Sequence, residues 1–166
     1  MAPQGIDEKY VSLRHYLDWS VRDEDRISQL RSILMPYAKV FIEDFYAEIV
    51  RYPAISRVIT GGDRQIARLH QSLLRWVDEL LAGHYDLAYI ERRWKIGYRH
   101  VEIGLDQTYV HVALARLRMQ MQSILLVELK NQPDQLGECL ITLNKLLDLD
   151  LALLSTAYET ELQQLK

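Results

Sequence analysis

Apolar residues recur at steps of three and four along nearly the whole 166-residue chain, and almost nowhere do they alternate at steps of two between turns. That period belongs to the α-helix. Only 7 Gly and 4 Pro interrupt the chain, so the helices have to be long. A first helix is predicted around Asp7 to Trp19, with Tyr10, Leu13 and Leu17 on one face. A second follows Asp23 or Asp25, both suitable caps, and carries Ile27, Leu30, Ile33 and Leu34. Pro36 sits where a first-turn proline loses no hydrogen bond. The helix it opens runs to about Arg51, with Val40, Phe41, Phe45, Ile49 and Val50 inward. Pro53 begins a connecting turn through Ile59. Gly61 and Gly62 break the chain, and Asp63 caps a helix to about Ala82, striped by Ile66, Leu69, Leu73, Val77 and Leu80 and stopped by Gly83. Asp86 starts a helix through Ile90, Trp94, Gly97 and His100 to Gly104. Asp106 caps a long one to about Lys130, and Pro133 opens the last. With no internal repeat and no low-complexity linker, the prediction is one all-α domain of about seven helices.

Several classes of function fall away. The single cysteine, Cys139, excludes an intramolecular disulfide and with it a disulfide-stapled secreted scaffold. A net charge of −3 gives no strong electrostatic reason to bind nucleic acid or anionic lipid. The longest apolar runs, such as Ile124 to Val127, fall far short of the roughly 20 residues that cross a bilayer. The start, Met-Ala-Pro-Gln-Gly, has neither basic patch nor apolar stretch and does not read as a signal peptide. A soluble, cytoplasmic chain with no membrane or nucleic-acid partner is expected. The helices predicted over 106–130 and 133–165 each exceed the average of about 12 residues. In the second, Leu136, Leu140, Leu143, Leu147 and Leu154 share one stripe, while Leu146, Leu149, Leu151 and Leu153 lie on other faces. A helix apolar around so much of its circumference must be covered on more than one side. Two readings stand: a single central core helix, or a homodimer in which residues 106–130 and 133–165 of two copies form a four-helix bundle.

Motifs for acid–base or nucleophilic chemistry are missing: no Gly-x-Ser-x-Gly, no His-Glu-x-x-His, no paired cysteines, no phosphate loop. Gly61-Gly62-Asp63 matches part of a cyclase motif, but nothing after it fits, and it reads as a helix start. The run Glu91-Arg92-Arg93 reads as a solvated face. Of the five histidines, His15 and His84 read as surface positions, His111 as packed or surface, and His70 as a neighbour of Leu69 on a helix already supplied with its apolar stripe. His100 differs. Gly97 lies one turn before it and Gly104 one turn after, with Ile96 and Ile103 as apolar flanks. A neutral imidazole on a small, apolar helical face suits an iron porphyrin, but spacing alone favours a packed core histidine over a ligand. Tyr46 by itself reads as a core tyrosine with its hydroxyl at the rim.

The segment Ile96 to Leu105, Ile-Gly-x-x-His-Val-x-Ile-Gly-Leu, resembles the proximal-histidine signature of the globin-coupled sensors, bacterial gas sensors built on a globin domain. Phe45-Tyr46 and the stretch Leu69 to Val77 with Trp76 fit the same family in order and separation. The resemblance covers essentially the whole chain: an N-terminal extension helix over 1–20, then a globin core over 23–166 with A, B, E, F, G and H helices and no D helix. It implies haem b (iron protoporphyrin IX) with His100 as the proximal iron ligand. It implies Tyr46 as the distal donor to a bound gas, O2 foremost with CO and NO as further ligands. Leu69 falls where ordinary globins carry a distal histidine, and a one-residue change of register would bring His70 to the iron instead. Ser72 matches a site where some sensors place a hydroxyl. Phe41, Phe45, Ile66, Leu73, Trp76, Ile96, Tyr98, Val101 and Leu114 are expected to wall the haem pocket. Ten residues after His100, where some members have a proximal tyrosine, this chain has Val110, with Tyr109 just before it.

The resemblance further implies signalling from the last helix to a C-terminal output domain, most often a diguanylate cyclase. At 166 residues the chain is expected to be complete as a haem-binding fold and incomplete as a signalling protein. It is not expected to be an enzyme itself; a nitric-oxide dioxygenase would need a flavin segment. The alternative of another class is a haem-free globin-fold scaffold.

Overall fold

The computed structural model describes Met1 to Lys166 and contains helices and no strand. Seven long helices and one single-turn helix follow in order: α1 (Ile6–Tyr16), α2 (Val21–Leu34), α3 (Ala38–Ile49), the short α4 (Pro53–Ser56), α5 (Gly62–Leu80), α6 (Leu87–Glu102), α7 (Gln107–Glu128) and α8 (Pro133–Gln164).

The local signals act mostly where expected. Asp86 accepts from the Tyr89 N–H at 2.9 Å and starts α6; Asp106 accepts from the Thr108 N–H at 2.8 Å and starts α7. Pro133 occupies the first turn of α8. Three expectations need correction. The cap of α2 is Ser20, whose N–H donates back to Asp23 Oδ2 at 2.9 Å, so Asp23 is the third helical residue, not the cap. Pro36 lies in a 3-10 turn, Met35–Tyr37, and α3 begins only after it. The shift rotates α3, so Ala38, Phe41, Ile42 and Phe45 are buried while Val40 and Val50 stay exposed. Asp63 lies within the first turn of α5, whose open end is covered instead by Gln65, accepting from the Gly61 N–H at 2.5 Å.

Two apolar clusters organise the interior. The larger joins α2, α3, α5, α7 and the first half of α8 through residues such as Leu30, Phe41, Trp76, Leu117 and Leu143. The smaller joins α1, α6 and the second half of α8 through Ile6, Tyr10, Tyr89, Ile90, Trp94, Leu149, Leu153 and Ala157. α8 therefore belongs to both, which explains its leucines on several faces: one protomer already covers Leu143, Leu146, Leu147, Leu149, Leu153 and Leu154. The consecutive helices α5 and α6 run apart except where Arg92 and Arg93 of α6 reach Glu79 and the Trp76 carbonyl near the end of α5; α5 rests on α3, and α6 rests on α8 and α1.

Candidate functional site

The histidines separate cleanly by environment. His15, His84 and His111 are exposed. His100 and His70 are half-buried and lie on the two helices, α6 and α5, that leave a gap between them.

His100 is in the last turn of α6. Burial lowers the imidazole pKa below its ordinary value, opposed by the Ile96 carbonyl one turn back, so the ring favours its neutral form. Its Nδ1 is buried without a well-aligned hydrogen bond. A neutral imidazole has one ring nitrogen without a proton, the ligand atom that haem ligation requires. Ile96, one turn before His100, packs against the larger core, as Tyr46, Leu73 and Ala113 also do.

The two glycines of the signature have roles other than the one predicted. A side chain at Gly97 would place its Cβ 2.3 Å from the Leu154 carbonyl oxygen and 2.9 Å from Leu154 Cα. Gly97 is small so that α8 can approach, not so that a flat group can. Gly104 has φ of +74° and ends the α6 segment, with open space around it.

Across the gap, Tyr46 of α3 is half-buried, and its O–H donates to the Leu69 carbonyl at 3.3 Å, long for a hydroxyl donor. Burial pushes the phenol up to about 12, so it remains a donor throughout the physiological range. The Tyr46 ring stands edge-on to Phe45, 5.2 Å between centroids, and stacks on His70 at 4.8 Å with 20° between planes. The structure thus sets His70 beside Tyr46, while Leu69 is half-buried one residue away.

The expected walls divide. Phe41, Phe45, Trp76 and Leu114 are buried in the larger core; Leu73 and Ile96 are half-buried against it, and Ile66 is half-buried. Val101 packs on the smaller cluster instead. Ser72 is exposed on the outer face of α5, so its hydroxyl is not brought to Tyr46. Tyr98 is 40% exposed and stacks on Trp94 at 5.3 Å, outside the gap. Both depart from the pocket as predicted because 72 and 98 fall off the helix faces that carry Leu69/Leu73 and Ile96/His100.

Sequence reasoning missed Arg93 entirely. Taken as part of a solvated run, it is fully buried, the largest side chain so enclosed. The available signal was its spacing: Arg93, Gly97 and His100 share one face of α6.

The fold agrees with two comparisons. The family model described as Protoglobin matches residues 7–164. The globin domain of a Geobacter sulfurreducens globin-coupled sensor superposes with a TM-score of 0.79 at 25% identity, over 89% of this chain and 95% of that one. With the family model matched over nearly the whole chain, the chain belongs to the protoglobin family.

Proposed function

We propose that the chain is a haem-based gas-sensor domain, with His100 as the iron ligand. The observation that carries the reading is the half-buried His100 on α6, its Nδ1 buried without a partner and its neutral form favoured by burial, in a fold that also stacks Tyr46 of α3 on His70 of α5. A bound haem b would supply an iron that takes up a diatomic gas reversibly; the remaining roles belong to the chain. His100 offers Nε2 and keeps its Nδ1 side toward Ile96. Tyr46 supplies the one distal phenolic donor, and its long bond to Leu69 is weak enough to be exchanged for a better acceptor. A donor of this kind suits O2, whose bound form carries more negative charge than CO. Leu69, Ile66 and Leu73 exclude water by bulk.

The signal leaves through α8, which is packed on α6 over its second half. On α7, Val112, Met119 and Leu126 are 54%, 65% and 52% exposed at seven-residue intervals, and Ile141 on α8 is 57% exposed. This apolar stripe supports a homodimer through residues 106–130 and 133–165, feeding a C-terminal output such as a diguanylate cyclase. The exposed leucines Leu162 and Leu165 near the end of α8 point the same way. The chain itself carries no catalytic constellation, and no helix is long and apolar enough to cross a membrane.

Absorption spectroscopy after expression with haem supply tests the reading. A Soret band in the wild-type chain and its loss in His100→Ala is the expected result. An unchanged band in His100→Ala would overturn the ligand assignment, and no band in the wild type would favour the haem-free scaffold.

A further inference from the structure

Away from the gap, four ionisable groups meet where α5, α6 and α8 converge. The Arg93 guanidinium is fully buried. Its Nε lies 2.8 Å from Asp150 Oδ2 on α8, one terminal nitrogen donates to the Trp76 carbonyl of α5 at 2.9 Å, and the other donates to Glu79 at 3.1 Å. Asp150, 1% exposed, also accepts from the Tyr89 hydroxyl. The Tyr89 and Trp76 rings lie 4.3 and 5.3 Å from the guanidinium carbon. Burial raises the Asp150 pKa, opposed by Arg93 and by the Tyr89 hydrogen bond.

Such a cluster is a poor way to gain stability. Desolvating both charges costs several kcal/mol per ion, and an apolar set of similar volume commonly does as well or better. What a forked, buried guanidinium provides is one geometry, because its donors point in fixed directions. Here its hydrogen bonds reach α5 and its close charge partner lies on α8. Four residues further along, Gly97 touches the Leu154 backbone, and Leu154 is four residues beyond Asp150. Thus α8 follows α6 in step through both contacts. His100 completes the same face one turn after Gly97.

We propose that Arg93 is a positioning residue for His100. Its guanidinium pins α6 to α5 and α8, so that a gas-dependent shift of His100 turns α6 about Arg93 and is delivered to α8 at Leu154. This rests on the haem-sensor reading above, and the test separates the two.

The test uses haem-loaded protein. In Tyr89→Phe/Arg93→Met/Asp150→Leu the charges and the orphaned hydroxyl leave together, so folding and the Soret band are expected to persist. The iron–histidine stretching band of the ferrous protein should shift or broaden relative to wild type. The change in hydrogen exchange of α8 on adding CO should shrink about tenfold, the size of an ordinary allosteric coupling. Arg93→Lys, which keeps the charge and loses the fork, should move the band in the same sense, and it serves as the readout if the triple variant does not fold. A wild-type band and a wild-type exchange response in either folded variant would overturn the role of Arg93. Absence of a Soret band in the wild-type chain would overturn the haem reading itself.

Discussion

Along one edge of a single face, α6 presents Arg93 and Gly97, both buried, one held to α5 and α8 and the other against bare α8 backbone. Beside them on that face stand Ile96 and His100, both half-buried, with an imidazole nitrogen lacking an aligned partner. The polar groups on that side are lightly engaged: Tyr46 makes one long hydrogen bond and a ring stack. A site that must accept a large flat ligand and a gas needs room and donors free to change partners. A contact that must pass on a movement of about an ångström needs neighbours that cannot absorb it. One helix meets both demands on one face by dividing them between neighbouring residues.

The sharpest break of the rigid edge is Gly97→Ala. Alanine gains about 1 kcal/mol of helix propensity over glycine. Its Cβ, however, would meet the Leu154 carbonyl oxygen at 2.3 Å, and that atom belongs to α8 backbone, which cannot rotate away. Overpacking against a core costs typically 1–3 kcal/mol, and a backbone clash belongs at the upper end. A net loss of about 2 kcal/mol is therefore expected, visible as a lower urea midpoint at unchanged slope. Wild-type stability would mean that α6 and α8 are not tightly apposed.

Much of this was open to reading from the residues. The helix ends with strong local chemistry, Asp86, Asp106 and Pro133, fell where the caps put them, because capping is a contact over two or three residues. His100 stands out in the sequence by its apolar flanks and its resemblance to a family signature, and the structure sets it half-buried on α6. Arg93 was not legible, because Glu91-Arg92-Arg93 looks the same whether the third residue faces water or Asp150, 57 positions later in the chain. Gly97 failed for the same reason: a glycine signals close approach without saying by what. Ser72 and Tyr98 were misplaced by about one residue of helical phase, an error of some 100° on a helix.

A milder challenge concerns the other flank of α8. There Asp23 accepts from Thr142 at 2.7 Å and Lys145 at 2.9 Å. Burial pushes the Asp23 pKa up, but these bonds, with that from the Ser20 N–H, outweigh it and leave the carboxyl below its ordinary value of 3.8. A depressed folded-state pKa contributes stability that is present above 3.8 and is lost as pH falls through the folded value. Asp23→Asn should therefore cost about 1 kcal/mol at pH 7, and the gap to wild type should narrow below that range. Urea unfolding at pH 7 and pH 3 checks it; a gap that widens in acid would reverse the sign. Asp150 shifts the opposite way, so acid weakens one anchor of α8 while easing the burial of the other.

The smallest effect on stability is expected from Tyr46→Phe, and that smallness is informative. The hydroxyl removed makes one bond of 3.3 Å to a carbonyl, so the haem-free protein should unfold within about 0.5 kcal/mol of wild type, well under an ordinary hydrogen bond. The ring, its contact with Phe45 and its stack on His70 all remain available to phenylalanine. In haem-loaded protein the same deletion should raise the O2 dissociation rate about tenfold, the equivalent of roughly 1.4 kcal/mol, while CO dissociation changes far less. Stopped-flow measurement with both gases reads the two rates. Equal rates for mutant and wild type with O2 would remove Tyr46 from gas binding. A large loss of stability without haem would show instead that Tyr46 is a structural tie, as firmly held as Arg93 and Gly97 on α6.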